Sequence, residues 1–178
     1  MRFRCALILG LLLPAVAQSA ETHFELGIGA GYLDLDLTQK RGPDFVDQTS
    51  AYTVMLGAYR STEDSRLLWG AAIEYTRPTG RDDSHPGSGA ILGFRPINVR
   101  RHWSEALSSE FHAGIARYEW EKSAAGYYLG GNLRYSLPRL PLTLGLEVKY
   151  YRDLAYDNPF GDQIVEGFHY LINLTYAP

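Results

Sequence analysis

The chain is predicted to be all-β, folding as an eight-stranded antiparallel up-and-down transmembrane β-barrel. Three observations carry that expectation. A secretory-type leader occupies residues 1–20, eight strand-length segments follow it, and those segments set an apolar face against one that mixes glycine with charges of both signs.

In the leader, Arg2 and Arg4 precede an apolar run from Cys5 to Val16, broken by Gly10 and Pro14. Small residues then offer Ala15-Val16-Ala17 or Gln18-Ser19-Ala20 as cleavage sites. This is the layout of a signal peptide and is too short for a spanning helix. Residues 21–178 then form one barrel domain, since about 158 residues are hardly enough for two. The only cysteine, Cys5, leaves with the leader, so the mature chain has no disulfide or thiol chemistry. Losing two arginines moves the formal charge from -3 to about -5, which speaks against nucleic acid. No later stretch is long and apolar enough for a membrane helix, so a membrane protein of this composition has to be a barrel.

The segments run His23 to Leu37, Ser50 to Arg60, Leu67 to Arg77, Ala90 to Arg101, Ser109 to Trp120, Ala125 to Leu137, Leu142 to Asp153 and Val165 to Tyr176. Each suffices for a tilted strand to cross a bilayer, which takes roughly 9 to 11 residues, and an even number closes without a free edge. The first places Glu25 on the face of Gly27, Gly29 and Gly31, glycines that suit crowded packing in a strand better than a nucleotide loop. The third sets Leu67, Trp69, Ala71, Ile73 and Tyr75 against Leu68, Gly70, Ala72, Glu74 and Thr76. From the fourth come Arg95, Asn98 and Arg100, and from the fifth Glu110 and His112. The sixth opposes Tyr127, Leu129, Leu133 and Tyr135 to Gly126, Gly130, Asn132 and Arg134. In the seventh, Leu142, Leu144, Leu146, Val148 and Tyr150 oppose Gly145, Glu147, Lys149 and Tyr151. The eighth sets Phe168, Tyr170, Ile172, Leu174 and Tyr176 against Gly167, His169, Asn173 and Thr175, the period-two signature of a strand with one greasy side.

A soluble barrel would point its apolar face inward. Here the polar face is the glycine-rich one, as a narrow eight-stranded lumen requires. Trp69, Ile73, Leu129, Leu133, Leu144, Leu146, Phe168, Tyr170 and Ile172 are therefore expected to meet lipid. Leu144→Arg is then expected to cost about 2 to 4 kcal/mol near the midplane. Tyr32, Tyr52, Tyr59, Trp69, Tyr75, Trp120, Tyr127, Tyr135, Tyr150, Phe168 and Tyr176 fall near segment ends, where interfacial girdles form. With the N-terminus in the periplasm, the long connections Thr38 to Thr49, Pro78 to Gly89 and Leu154 to Ile164 lie outside. The turns Ser61 to Arg66, His102 to Ser108 and Pro138 to Pro141 lie inside, while Glu121 to Ala124 is a short outer loop.

In these features the mature chain resembles the small outer-membrane β-barrels of the OmpA/OmpX type, by pattern and not by a specific motif. The resemblance implies residence in the outer membrane of a Gram-negative bacterium, as a monomer among outer-membrane lipids and lipopolysaccharide. It also implies periplasmic chaperones and the barrel assembly machinery as partners during biogenesis. Gly167, Tyr170 and Ile172 match the spacing of the family's terminal assembly signal. Val165 and the Ala177-Pro178 ending depart from it.

Inside the barrel, Glu25, Glu74, Arg95, Arg100, Glu110, His112, Arg134, Glu147, Lys149 and His169 are expected to form a charge network, with Asn98, Asn132 and Asn173. Nearly balanced acids and bases pair across a lumen where an unpaired charge is costly. The network reads as a plug, with a narrow ion path as the alternative. Lipid A deacylases and acyltransferases share this size class, and a deacylase site needs serine, histidine and acid converging at the outer rim. Ser109 and His112 have odd spacing and so face opposite ways, and no histidine is closely followed by serine in the deacylase manner. The protein is therefore expected not to be an enzyme. No cofactor or metal is expected, although His23 and His169 lie on adjoining strands of a closed barrel. Asp34, Asp36, Asp44 and Asp47, with Arg81, Asp82 and Asp83, are taken as solvated loop charges, with cation bridging of lipopolysaccharide as the sharper alternative. The expected role is structural, envelope-stabilising or surface-interacting, and a soluble lipocalin-like carrier with the faces reversed is the remaining alternative.

Overall fold

The computed structural model describes residues 22–39, 45–62, 66–79, 89–120, 122–158 and 161–177. The leader expected at residues 1–20 lies outside them. Eight strands, β1 (Thr22–Gln39), β2 (Phe45–Ser61), β3 (Leu67–Pro78), β4 (Ala90–His102), β5 (Leu107–Trp120), β6 (Lys122–Ser136), β7 (Leu142–Asn158) and β8 (Gly161–Tyr176), form a closed antiparallel meander. β1 and β8 complete the wall, with Ile28 opposite Leu174 and Tyr32 opposite Tyr170. Full closure pairs every strand on both sides, which is what lets strands cross a medium without water.

Alternation places the middle of the wall as expected. Trp69, Ile73, Leu129, Leu133, Leu144, Leu146, Phe168, Tyr170 and Ile172 are all exposed on the outer surface. Leu146 is 57% exposed and pairs with Leu133 and Ile172, so leucine and isoleucine side chains lie side by side around the belt. An exposed apolar band of this extent is stable against hydrocarbon and not against water. Leu144 faces Tyr135 and Leu174, one step nearer the inner aromatic level, so the midpoint of the apolar stretch on β7 is Leu146 rather than Leu144.

The strands outrun the expected segments at their outer ends. β1 reaches Gln39 and β2 starts at Phe45, while β7 reaches Asn158 and β8 starts at Gly161. The expected long loops at 38–49 and 154–164 are therefore mostly paired strand, and residues 122–124 of the expected loop 121–124 belong to β6. In this outer extension the two faces exchange character. Leu33 and Leu35 are buried inside, whereas Asp36, Gln48, Arg117 and Arg152 are exposed outside. That inversion is what a wall standing in water requires, and it marks where the barrel leaves the bilayer.

Two bulges reset the alternation. On β4 the register shifts between Phe94 and Ile97 toward β5 and between Arg95 and Asn98 toward β3, around Pro96. Proline has no N–H to give the ladder and is at home in such a bulge. Its effect is to turn Arg95 and Asn98, three residues apart, to the same interior. On β7 the shift falls between Tyr151 and Leu154, with Asp153 at φ 54°, and both flanking side chains are buried inside.

Gly167, opposite Tyr151, has φ 145°, and a Cβ there would collide with the Asp34 carbonyl oxygen on β1. This position therefore needs glycine for backbone reasons, independently of any assembly signal. Gly167→Ala is expected to cost about 1–3 kcal/mol, read as a lower urea midpoint for unfolding from lipid vesicles. An unchanged midpoint would remove the steric account.

Candidate functional site

The lumen is the site, and it is built in tiers. Nearest the inner end, the Arg100 guanidinium spans two carboxylates: Nη1 and Nη2 donate to Glu25 at 2.6 and 2.9 Å, and Nε and Nη2 donate to Glu110 Oε2 at 2.9 and 2.7 Å. Arg134 Nη2 adds a 3.0 Å bond to Glu25. The Tyr59 ring lies 4.1 Å from the Arg100 guanidinium carbon, and its hydroxyl donates to Glu110 at 3.5 Å. Tyr59 was expected in a lipid girdle. It sits inside because its odd separation from Tyr52, which is exposed, puts the two on opposite faces.

The middle tier centres on Arg95, whose residue is 1% exposed. It donates to Glu74 through Nε at 3.0 Å and through Nη2, and to Glu147 Oε1 at 2.5 Å. Lys149 Nζ meets Glu74 at 2.8 Å and lies 3.6 Å from Glu147, to which Asn173 also donates at 3.0 Å. Arg95 Nη1 lies 3.6 Å from Glu110 and joins the tiers. Glu25, Glu74, Glu110 and Glu147 thus face Arg95, Arg100, Arg134 and Lys149, and the formal charges cancel. Such cancellation is what makes a buried array tolerable, because attraction then offsets the loss of hydration.

His112 lies between Glu147, 3.3 Å from Nε2, and Arg95, 3.4 Å from Nδ1. His169 is buried against the Tyr151 ring, with centroids 6.5 Å apart. It stands in register with Lys149 and Leu33, whereas His23 pairs with Tyr59 and is exposed at the inner end. The two histidines expected near each other are therefore ten positions apart along β1, since antiparallel register, and not strand adjacency alone, decides proximity. Among the described residues, no group of three or more His, Cys, Asp or Glu gathers as a metal site would need.

Glycines make the tiers fit. Gly130 is opposite His112, Gly93 opposite Glu74 and Gly145 opposite Asn173. At each a Cβ would run into the facing side chain. Above the charges, Leu33, Leu35, Ile91, Tyr118, Tyr128, Tyr151, Leu154 and Val165 form an apolar cluster across the outer end of the lumen. Its aromatic members Tyr128 and Tyr151, 5.3 Å apart, form the layer of this cap that borders the charges. The sequence reading missed Tyr128 in the lumen, although its parity with Gly126, Gly130 and Asn132 carried the signal.

Ser109 and His112 do not meet. The Ser109 hydroxyl accepts a 2.9 Å bond from Trp103 Nε1 on the exposed side, while His112 is inside. Asp34 accepts from Gln48 at 3.1 Å on the outer surface, and Asp44 and residues 81–83 lie outside the described residues.

No protein-family model and no curated protein sequence matches the chain. Among solved structures, it is similar to Neisserial surface protein A (NspA), at TM-score 0.53 and 10% identity over 86% of this chain and 96% of that one. A de novo designed transmembrane β-barrel follows, at 0.49 and 14%, covering 88% and 95%. The attachment invasion locus protein Ail of Yersinia pestis gives 0.44 and 14%, covering 87% and 99%. The likeness to NspA shows the fold, and it agrees with the closed eight-stranded wall and its apolar belt.

Proposed function

We propose that the protein is a sealed, non-enzymatic barrel of the Gram-negative outer membrane, exported by its leader, which stabilises the envelope and presents its outer extension to the surroundings. The observation that carries this reading is the stacking of a charge-balanced network beneath an apolar cap, two barriers of opposite kind in one lumen. Water and ions that loosened the ion pairs would still meet the cap. A void beside Gly27, Gly29, Asn173 and Thr175 measures about 10 Å³, room for a single water.

The short turns then face the periplasm, and the extension, polar outside, stands among lipopolysaccharide headgroups as a monomer. Periplasmic chaperones and the barrel assembly machinery are its partners in biogenesis. The test is to isolate outer membranes, compare boiled with unboiled protein on a denaturing gel, and record planar bilayers. Compact migration of the unboiled form without steady conductance is expected. Steady conductance would replace the plug with a pore, and recovery in the soluble periplasmic fraction would sink the membrane assignment.

A further inference from the structure

The turn between β4 and β5 carries an arrangement that the sealed lumen does not explain. Arg101, the last outward-facing residue of β4, holds its guanidinium 4.5 Å above the ring of Trp103. Trp103 is 58% exposed, yet its ring is fixed, because Nε1 donates to Ser109 Oγ at 2.9 Å. Across the ladder Arg101 faces Leu67 and Ser109, and the next outward residue on β3 is the exposed Trp69. Trp103 thus covers this cation where the apolar wall ends, and Trp69 stands two positions along β3 from Leu67, the residue in register with Arg101.

Beside this stack opens a hollow of about 370 Å³ lined by Arg66, His102, Trp103, Ser104 and Glu105. The His102 N–H donates to the Arg66 carbonyl at 2.8 Å, tying the two neighbouring turns together. Glu63 and Asp64 lie outside the described residues, and the cation at the rim of this turn is Arg101. Among the described residues it has no carboxylate within ion-pair distance, and beside its one aromatic partner it stays exposed.

We infer that this turn binds the headgroup of an anionic phospholipid in the periplasm-facing leaflet. The inference rests on the reading of the chain as an outer-membrane barrel with its short turns in the periplasm. A guanidinium that no described carboxylate neutralises matches the phosphate, to which arginine donates two parallel bonds. Tryptophan prefers the depth at which headgroups meet hydrocarbon. A net negative lipid is favoured over a zwitterionic one because the second carries its own cation.

The test uses protein purified from membranes of cells expressing the full chain, placed in nanodiscs of phosphatidylethanolamine with a minority of phosphatidylglycerol. Native mass spectrometry then counts retained phosphatidylglycerol. Retention above the bulk ratio is expected, with about a fivefold loss on Arg101→Gln, the effect of one basic residue at an anionic surface. Trp103→Leu is expected to lose retention as well, and Arg139→Gln, an exposed arginine on another inner turn, to keep it. Parent protein that retains only the bulk ratio would overturn the site. So would an Arg139→Gln loss equal to that of Arg101→Gln, since diffuse charge would then suffice. Gel migration of unboiled samples separates the two levels: a parent that fails to insert in any bilayer sinks the barrel reading itself.

Discussion

Arg95→Met is expected to destabilise the barrel by about 3–5 kcal/mol, the cost of leaving a buried ion cluster short of one partner. Arg95 bonds Glu74 and Glu147 and lies 3.6 Å from Glu110, so three carboxylates lose their shared cation at once. Lys149 still reaches Glu74 and Glu147, and Arg100 still holds Glu110, but the tiers then carry four acids against three bases. Urea unfolding from lipid vesicles, followed by tryptophan fluorescence and by gel migration, gives the midpoint shift. The double variant Arg95→Met with Glu147→Gln should recover a large part of the loss, because it restores neutrality. If the double variant is as unstable as the sum of the two singles, charge balance is not what holds the lumen together.

Leu146→Arg is the second large effect, at about 2–4 kcal/mol, the depth-dependent cost of a cation on the lipid face at the midplane. Leu144→Arg should cost less, because Leu144 lies next to the level of Tyr135 and a long side chain there reaches the interface. The ranking is the informative part. Equal costs would mean that depth in the bilayer is not what the two positions sense. No cost at either would mean that this face does not meet lipid, leaving the reversed, soluble barrel as the better account.

Much of the site was legible because alternation is a local rule. Once a strand is recognised, parity alone places Glu25, Glu74, Glu147 and Lys149 on one face and Leu129, Leu146 and Ile172 on the other. The misplacements share one cause, which is that parity says nothing of register or of position along the axis. Tyr59 was assigned by its nearness to a strand end, against its parity. His23 and His169 were brought together by strand adjacency, which the pairing of His169 with Leu33 undoes. The outer extension looked like loop because its polar residues were read as turns, whereas Leu33, Leu35 and Val165 packing inside show a wall continuing in water.

By itself, the sequence determined the strand number, the closed antiparallel meander, the apolar belt and the identity of the lumen charges, since each follows from period-two patterning and the need to satisfy backbone groups in lipid. Only the tertiary structure decided which charges pair, where Pro96 and Asp153 reset the alternation, and that an apolar cap closes the outer end. Those features depend on strands as far apart in the chain as Glu25 and Arg134, and distances between such residues are set by shear and register, which no local pattern encodes.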